Sequence, residues 1–354
     1  MIRTWMMEYS RLSQIRIWQE ERIETMKYNK LGLTDLNVSE ICLGTMTFGE
    51  KIGVEEAEKS VQYAWGRGVN FIDTADIYPR GAQGESERIV GKAVREFRDK
   101  VILATKVGGP MGQGRNDKGL GRVHIQKAVD GSLRRLQTDY IDLYYLHIPD
   151  PTVDIAEVLD TMDELVKAGK IRYYGVSNYP EWQVCEMEWM ASKNRLDAPM
   201  VYEGVYNLLT RGAEDGLIPF LRRYQMGFTV YNPLAGGMLT GKYTDEKSQE
   251  ARGRLDENPG YRERYFSRKN LDAVLRLQSA AQRQGMSLVE FSYRWVLSHK
   301  EVRSVIMGFS SLNQLKQNLD LMDSGRELAP DAETERLVDE VWKELRGDWF
   351  RYYR

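Results

Sequence analysis

The sequence of 354 residues predicts an α/β protein folded as a closed (β/α)8 barrel, the TIM-barrel architecture. Short β-rich runs alternate with helical patterns eight times, and this alternation is typical of parallel strands joined by right-handed crossovers. The eight units span about 280 residues, close to the usual size of such a barrel. A doubly wound sheet would need a G-x-G-x-x-G fingerprint after its first strand, and the segment LGTMTFGEKIG lacks it.

The chain opens with a segment that differs in composition from the rest. Residues 1–25 mix Arg, Glu, Trp and Met without the continuous apolar run of a signal peptide. We interpret them as a peripheral N-terminal extension, with a partner-binding or membrane-surface helix as the alternative. Residues 26–354 are interpreted as one domain that includes the C-terminal tail. From Lys27, two short strands flank a turn at Gly32–Asp35, and an apolar strand follows that ends near Gly44.

The barrel elements follow in order along the chain. The predicted strands are 39–45, 69–74, 100–106, 140–147, 171–177, 200–206, 227–233 and 302–308. Between them, apolar residues recur at the three-to-four spacing of amphipathic helices, and Pro180 lies where one helix begins. The interval after the seventh strand is longer: a polar loop at Thr244–Asn270 precedes two helices. The second of these begins at Ser287, with Glu290 completing a capping box.

Composition and charge exclude several classes of protein. Fifty basic residues face fifty-two acidic ones, so no basic excess indicates a nucleic acid or an anionic membrane as partner. No apolar run approaches the roughly 20 residues that span a bilayer. Two cysteines, Cys42 and Cys185, supply neither a disulfide framework nor a multi-cysteine zinc site, and a reducing cytoplasm is the simplest location. The three histidines form no H-x-H or H-E-x-x-H pattern, so we expect no metal site.

Polar side chains stand at the carboxyl ends of the predicted strands. They are Asp73, Asp76, Lys106, His147, Ser177, Asn178, Glu203, Tyr231 and Asn232, with Tyr78 in the loop after Asp73. Because barrel enzymes carry their active sites at this end, we expect these residues to converge on one mouth. Each alone has an ordinary structural explanation, such as a capped turn, a solvated strand end or a satisfied core histidine. Their occurrence on several different strands favours a functional site.

A tyrosine, lysine, aspartate and histidine together suggest proton transfer to a carbonyl oxygen. A free phenol has a pKa of about 10, which is high for an acid that works near neutrality. A buried ammonium beside the phenol would lower that pKa, and a carboxylate would keep the ammonium charged. Tyr78, Lys106 and Asp73 can supply these three groups, and His147 can hold the carbonyl oxygen.

Several segments, in their order and spacing, carry a resemblance to a known family. They are FIDTADIY (71–78), VILATKVG (101–108), SLRRLQTDYIDLYYLH (132–147), LVKAGKIRYYGVSN (165–178), YNLL (206–209), YNPLAGGMLTGKY (231–243) and MGFSSLNQLKQNL (307–319). From about Lys27 to about Met322 the chain resembles the aldo-keto reductase superfamily. The resemblance implies the same barrel with a β-hairpin closing its base. It also implies an enzyme that uses NAD(P)H to reduce an aldehyde or a ketone. The substrate would thus be a small molecule with a carbonyl group.

The resemblance further assigns roles to individual residues. Tyr78 would be the general acid in reduction, Lys106 and Asp73 would tune it, and His147 would orient the substrate carbonyl. The cofactor residues would be Ser177, Asn178, Glu203 and Tyr231 at the nicotinamide, Gly44, Thr45 and Met46 at the ribose, Asn232, Leu234 and Gly236 along the pyrophosphate, and Gly308, Ser310, Gln314 and Asn318 at the adenosine.

Two cofactor positions depart from the family pattern. Glu203 stands where the family has a glutamine, so a carboxylate would accept from the carboxamide but not donate. Its negative charge would favour the oxidised, cationic ring, and we expect Glu203→Gln to shift relative affinity toward the reduced cofactor. Ser310 and Gln314 are uncharged where many members have an arginine for the 2′-phosphate, and Gln314 also completes an S-x-x-Q capping box with Ser311. This uncharged pocket weakens the case for strict use of NADPH, but the usual preference of the family that the chain resembles still favours NADPH, with NADH possible.

Two other functions compete with the reductase. Some relatives with this barrel are cofactor-binding regulatory subunits of cation channels, and residues 1–25 would then be a candidate binding segment. A metal-dependent barrel hydrolase is disfavoured by the missing histidine pairs. Met46, Phe48 and Ile77 are expected to border the substrate pocket. Its variable walls would be the loops 108–122 and 244–270 and the tail ending DWFRYYR, but no pattern identifies the substrate or the oligomeric state.

Overall fold

The computed structural model describes residues 26–244, 255, 258–323 and 326–347. The N-terminal extension and the C-terminal tail from residue 348 lie outside the described residues. A two-stranded antiparallel sheet precedes a closed barrel of eight parallel strands, in the order β10-β3-β4-β5-β6-β7-β8-β9. The strands are β1 Tyr28–Lys30, β2 Asn37–Ser39, β3 Ile41–Gly44, β4 Phe71–Asp73, β5 Ile102–Val107, β6 Ile141–Leu146, β7 Ile171–Ser177, β8 Val201–Val205, β9 Gly227–Tyr231 and β10 Val302–Met307. The predicted α/β barrel is confirmed.

Helices surround this barrel. Over the described residues they are α1 Val54–Gly66, α2 Glu85–Val94, α3 Arg122–Leu136, α4 Ile155–Lys167, α5 Glu181–Asn194, α6 Leu217–Tyr224, α7 Pro259–Tyr265, α8 Arg268–Arg283, α9 Leu288–Leu297, α10 Leu312–Met322 and α11 Ala332–Arg346. Their apolar faces join the outer faces of the strands in one large core. None of these described helices combines the length and the apolarity needed to cross a membrane.

The predicted elements are present with small changes at their ends, and one prediction is wrong. All eight barrel strands occur within two residues of the predicted limits. The side chain of Ser287 accepts a hydrogen bond from Glu290 N at 3.1 Å and starts α9. The predicted polar loop at 244–270, however, contains the helix α7. Asn258 caps it and Pro259 occupies its first turn, a combination that favours a helix start.

The hairpin of β1 and β2 closes the base of the barrel. Asn29 Nδ2 donates to Arg303 O at 2.9 Å, near the start of β10, and Tyr173 OH donates to Asp35 Oδ1 at 2.8 Å, near the start of β7. The hairpin side chains Leu31 and Val38 are fully buried and pack against residues from the lower part of the barrel interior. The amino-terminal ends of the strands are therefore covered, and the carboxyl ends are left for a site.

The register of the strands places the functional side chains at the same height along the barrel axis. Asp73 on β4 is paired with Gly44 on β3 and with Ala104 on β5. Ser177 at the end of β7 is paired with Glu203 on β8. Parallel pairing in register places the carboxyl ends of neighbouring strands side by side, so residues distant in sequence meet at the mouth.

Candidate active site

A buried lysine lies at the centre of the mouth. Lys106 is fully buried, and its Nζ donates to Asp73 Oδ1 at 2.5 Å and to Thr74 O at 3.0 Å. Burial lowers the pKa of the Lys106 ammonium, but the carboxyls of Asp73 and Glu203 raise it more, and the net pKa lies above its ordinary value. The lysine is thus a fixed positive charge at neutral pH.

Tyr78 and His147 stand above this lysine. The Lys106 ammonium lies 5.4 Å from the centroid of the Tyr78 ring. The rings of Tyr78 and His147 meet edge to face, with centroids 5.9 Å apart. Tyr78 comes from the loop after β4, Lys106 from β5, and His147 follows β6. The structure therefore brings together the phenol, ammonium, carboxylate and imidazole that the sequence indicated.

The Tyr78 phenol is less acidic than the sequence argument expected. Burial raises the pKa of Tyr78; the Lys106 ammonium lowers it, but Asp73 and Glu203 raise it again, so the net pKa lies above 10. The expected effect of the ammonium exists but does not dominate, because two carboxyls accompany it. At neutral pH the phenol keeps its proton, which is the form that can donate one.

His147 is neutral in this site. Burial lowers the pKa of His147 to about 3, and the positive charges of Lys106 and Arg80 add to that effect. A neutral imidazole keeps one N–H donor and one acceptor. Its backbone N donates to Val107 O at 2.9 Å, which continues the β5–β6 pairing and fixes the position of the residue. His147 can therefore donate a hydrogen bond to a carbonyl oxygen.

Glu203 reaches the same ammonium from the other side of the barrel. Its side chain is 6% exposed, and Oε2 lies 3.5 Å from Lys106 Nζ, within ion-pair distance. Oε2 nevertheless has no hydrogen-bond partner among the described residues. Burial, and after it the charge of Asp73, raises the pKa of Glu203 to about 8 although Lys106 lowers it. Burial therefore opposes the negative charge expected from the sequence and favours the protonated form of this carboxyl.

Ser177, Asn178 and Tyr231 form one hydrogen-bonded group beside Glu203. Asn178 has a φ of 63°, and its Nδ2 donates to His147 O at 2.9 Å and to Ser177 Oγ at 3.0 Å. Tyr231 OH donates to Asn178 Oδ1 at 2.7 Å. The amide of Asn178 is therefore satisfied within the protein. Both Nδ2 protons are used, but Oδ1 can accept one more hydrogen bond, so a bound carboxamide could donate to it.

The turn after β9 depends on Asn232 and Gly236. Asn232 Oδ1 accepts from Gly236 N at 2.7 Å, and Asn232 Nδ2 donates to Tyr265 OH at 2.7 Å. Gly236 has a φ of 66°, and a Cβ there would lie 2.7 Å from Tyr261 Cδ1. Only glycine suits this position. Leu234, which is half-buried, lies in the same turn.

The residues assigned to the ribose follow β3. A Cβ at Gly44 would lie 2.7 Å from Ile306 Cγ2, so a side chain at this position would collide with β10. Thr45 Oγ1 donates to Asp73 O at 2.9 Å and is buried, and Met46 next to it is partly exposed. The segment therefore runs directly beside the catalytic candidate Asp73.

Of the residues assigned to the adenosine, Gly308 and Ser310 lie between β10 and α10, and Gln314 and Asn318 lie on α10. Gly308 is exposed. Gln314 Oε1 accepts from Ser310 N at 2.7 Å and from Ser310 Oγ at 3.0 Å, while Ser311 Oγ accepts from Gln314 N at 3.2 Å. The predicted capping box is formed on the Ser311 side, but the Gln314 side chain returns to Ser310 rather than to Ser311. An acidic residue also lies here, because Leu312 N donates to Glu56 Oε1 at 2.7 Å.

Two orphaned polar atoms test whether these residues fit a dinucleotide. Glu203 Oε2 and Asn318 Nδ2 are buried, and neither has a hydrogen-bond partner among the described residues. Buried polar atoms normally have partners, and a ligand group could satisfy these two, although other buried atoms without a partner, such as Tyr293 OH on α9, lie outside the assigned path. Glu203 Oε2 and Asn318 Nδ2 lie at the two ends of the path assigned to the dinucleotide, one beside Lys106 and one on α10. The residues present therefore fit such a cofactor.

Several contacts were not foreseen from the sequence. The approach of Glu203 to Lys106 joins two strands on different sides of the barrel, and the support of Asn232 by Tyr265 comes from α7. The Asn-Pro pair at 258–259 could have revealed α7, whereas nothing local signals the Glu203 contact. Asp76, also predicted at this strand end, is fully buried, and burial raises its pKa well above the ordinary value.

The acidic and histidine side chains of the mouth are not grouped as metal ligands in the described part of the chain. Over residues 26–244, 255, 258–323 and 326–347, no group of three or more His, Cys, Asp or Glu side chains is arranged to hold a metal ion. The polar residues of the mouth instead form ion pairs and hydrogen bonds with one another. The chemistry that they can support is therefore proton transfer and electrostatic stabilisation.

The sequence matches a known protein family and several of its members. The sequence profile described as "Aldo/keto reductase family" matches residues 40–334. A "Probable voltage-gated potassium channel subunit beta" of Oryza sativa subsp. japonica is 35% identical over 313 residues, which cover 87% of this chain and 94% of that protein. "Aflatoxin B1 aldehyde reductase member 2" of Rattus norvegicus is 34% identical over 300 residues, 80% of each chain. "Aldo-keto reductase YhdN" of Bacillus subtilis (strain 168) is 35% identical over 298 residues, 82% of this chain and 87% of that protein.

Proposed function

Because this chain belongs to the aldo/keto reductase family, we propose that it is an oxidoreductase that reduces an aldehyde or a ketone to an alcohol with NAD(P)H. The observation that carries the proposal is the group formed by Tyr78, Lys106, Asp73 and His147. There a protonated phenol and a neutral imidazole stand over a buried ammonium that is paired with a carboxylate.

The proton-transfer part of the reaction follows from this geometry. His147 donates a hydrogen bond to the substrate carbonyl and polarises it. As negative charge develops on that oxygen, Tyr78 transfers its phenolic proton to it. The phenolate left behind lies beside the Lys106 ammonium, which stabilises it, and Asp73 holds that ammonium in place. Tyr78 then regains its proton from solvent.

The dinucleotide would lie along the ends of the strands. When bound, its nicotinamide supplies the hydride that the carbonyl carbon receives. Ser177, Asn178 and Glu203 would hold the carboxamide, and Tyr231 would lie against the ring. The remaining contacts would come from Gly44, Thr45, Met46, Asn232, Leu234, Gly236, Gly308, Ser310, Gln314 and Asn318.

For the dinucleotide itself we propose NADPH, with NADH as the alternative. The family preference supports NADPH, but uncharged Ser310 and Gln314 offer the 2′-phosphate no cation. Glu56 accepts a hydrogen bond from Leu312 N at the start of α10 and adds negative charge there. We expect Glu56→Gln to raise the affinity for NADPH relative to NADH by about three- to tenfold, since a like charge is removed. Competition between the two dinucleotides in wild type and in the variant measures this ratio of affinities. An unchanged ratio would show that the 2′-phosphate does not bind near Glu56.

The reductase proposal is tested with a panel of aldehydes and ketones and a deuterated reduced dinucleotide. We expect the dinucleotide to be consumed, with deuterium appearing on the carbinol carbon of the product. A chelator should not change the rate, whereas inhibition by it would support the metal-dependent hydrolase. No consumption of either dinucleotide with any carbonyl compound would contradict the proposal.

The second candidate function is a regulatory subunit that binds the same dinucleotide. It is supported by relatives in Oryza sativa and Arabidopsis thaliana that are named as probable potassium channel β-subunits, the latter 34% identical to this chain over 306 residues. Affinity purification of the chain from its native membranes, followed by identification of bound proteins, distinguishes the two. A channel protein recovered in fixed ratio would support the subunit, and recovery without one would favour the free enzyme.

A further inference from the structure

Two carboxyls, from opposite sides of the barrel, face one buried ammonium. Asp73 on β4 hydrogen-bonds to Lys106 Nζ at 2.5 Å, and Glu203 Oε2 on β8 lies 3.5 Å from the same atom, within ion-pair distance. All three side chains are at most 6% exposed. The group is neutral when one carboxyl holds a proton, and it carries a net charge of minus one when both are ionised. Because an uncompensated charge is costly in a buried site, binding of a proton to one carboxyl stabilises this cluster.

We propose that Glu203 is a proton-binding residue whose ionisation sets the relative affinity of the site for the oxidised and the reduced dinucleotide. The proposal rests on the proposed function, because it requires a nicotinamide beside Lys106. The chain then couples cofactor exchange to proton uptake and release through a residue other than Tyr78.

The contacts identify Glu203, and not Asp73, as the group that takes the proton. Asp73 has a short hydrogen bond to the ammonium, which stabilises its charged form. Glu203 Oε2 is buried and is farther from the ammonium. A hydrogen bond between the two carboxyls lowers the pKa of Asp73 and raises the pKa of Glu203, which places the proton on Glu203. In agreement with the geometry, burial raises the pKa of Glu203 to about 8.

Other ionisable groups face Glu203 from the neighbouring elements. They are Cys42 on β3, Asp73 on β4, Tyr78 after β4, Lys106 on β5, Tyr145 on β6 and Tyr231 on β9. Burial raises the pKa of the thiol and of the three phenols above their ordinary values, so they stay neutral near neutral pH. The ammonium stays charged, and His147 has a pKa of about 3. Burial also raises the pKa of Asp73, but its hydrogen bond to the ammonium favours the charged form, which leaves Glu203 as the carboxyl of this pair that binds the proton.

The coupling follows from the charge of the ring. The oxidised nicotinamide carries a positive charge and the reduced one is neutral, so only the oxidised form gains from an ionised Glu203. Below its pKa, binding of the oxidised dinucleotide releases the Glu203 proton to solvent and leaves a carboxylate beside the ring. The reduced dinucleotide binds with that proton in place. No oxidant or reductant takes part in this exchange.

The direction of the pH dependence can be stated. The affinity for the oxidised dinucleotide should rise with pH until the Glu203 carboxyl is ionised in the free protein, by at most about tenfold per pH unit. The affinity for the reduced form should stay constant or fall. Low pH would then favour release of the oxidised product after reduction, and high pH would favour alcohol oxidation.

The test measures dissociation constants for both redox forms from about pH 6 to about pH 9, by fluorescence quenching and by calorimetry in buffers of different ionisation enthalpy. For wild type we expect the ratio of oxidised to reduced dissociation constants to fall at least about fivefold across this range, with proton release on binding the oxidised form near pH 7. Glu203→Gln, which restores the family residue, should give a flat ratio and no release. Glu188→Gln is the control, since burial raises the pKa of this α5 carboxyl to about 7, away from the site. It should behave as wild type.

The experiment distinguishes a failure of the proposed dinucleotide binding from a failure of the proposed proton coupling. If Glu203→Gln and wild type show the same pH dependence, the inference is wrong while the reductase proposal stands. If wild type binds neither redox form at any pH, both are wrong. In the protein without dinucleotide, the infrared difference spectrum between wild type and Glu203→Gln should show a protonated-carboxyl band at neutral pH, since Asp76, whose pKa burial also raises, is present in both proteins and cancels. A spectrum without that band would also overturn the inference.

Discussion

At the scale of single residues, Lys106 organises the site. One fully buried ammonium contacts Asp73 and the carbonyl of Thr74, lies beneath the Tyr78 ring, and approaches Glu203. The sequence predicted Asp73, Lys106, Tyr78 and His147 together because each follows or ends a strand, and parallel strands of a barrel end at one mouth. It did not predict the Glu203 contact, since the distance between side chains on β5 and β8 depends on the radius of the closed barrel.

His147 gives a prediction for stability against pH. Its pKa in the folded protein is about 3, below the ordinary 6.5, because it is buried beside Lys106. Between these two pKa values, His147 binds a proton in the unfolded chain but not in the folded protein. The free energy of unfolding should therefore decrease as pH falls from about 6.5 toward 3. His147→Asn removes this contribution, which is at most about 1.4 kcal/mol per pH unit.

Urea unfolding of wild type and His147→Asn at about pH 7 and about pH 5 measures this difference. Burial also lowers the pKa of His124 and His299. Both remain in the variant, so the comparison isolates His147. Equal losses of stability in the two proteins would show that the imidazole is not held neutral by its surroundings.

At the scale of elements, the sequence predicted the barrel strands better than it predicted the secondary structure of the long segment between β9 and β10. Alternating apolar runs such as 227–233 specify a buried strand by their composition alone. Helix α7 was interpreted as loop because its sequence PGYRERY has few apolar residues and is dominated by glycine, arginine and tyrosine. Its tyrosines pack on Gly236 and Asn232, so a tertiary contact, and not periodicity, decides its structure.

Close packing between α2 and α3 gives a prediction at this scale. A Cβ at Gly91 on α2 would lie 2.4 Å from Leu136 O, a backbone atom at the end of α3 that cannot yield. Gly91→Ala should therefore lower the free energy of unfolding by about 1–3 kcal/mol, although alanine favours a helix. Thermal and urea unfolding measure it.

A second glycine supplies the control. Gly66 ends α1, and a Cβ there meets no atom within 4 Å. Gly66→Ala should be neutral or stabilise the protein by up to about 1 kcal/mol. If Gly91→Ala were as stable as Gly66→Ala, the close approach of α2 to α3 would be incorrect.

At the scale of the whole molecule, the barrel must close between its first and last units. Strand β10 pairs with β3, and outside them Arg67, which follows α1, forms ion pairs with Asp320 on α10 and with Asp323 directly after it. The Arg67 side chain is only 3% exposed. The sequence predicted the closed fold from the number of repeats, but the residues that join its ends are 253 and 256 positions apart and have no local pattern.

Removing this connection should weaken the whole fold. Arg67→Leu should lower the free energy of unfolding by about 1–3 kcal/mol, less than for a fully buried pair because the aspartates remain partly solvated. Lys59→Gln is the matched control, since Lys59 pairs with Glu55 on the exposed face of the same helix. It should change stability by less than about 0.5 kcal/mol. Equal effects of the two substitutions in urea unfolding would deny Arg67 a role in closing the barrel.

The reductase account depends most directly on the Tyr78 hydroxyl. The decisive measurement compares Tyr78→Phe with Tyr145→Phe for turnover of a carbonyl substrate and for dinucleotide affinity. The Lys106 ammonium lies 5.8 Å from the ring centroid of Tyr145, a fully buried residue beside the same cluster. We predict that Tyr78→Phe lowers kcat by at least about 10²-fold, that Tyr145→Phe lowers it by less than about threefold, and that both bind the dinucleotide normally. Turnover retained by Tyr78→Phe would contradict the account.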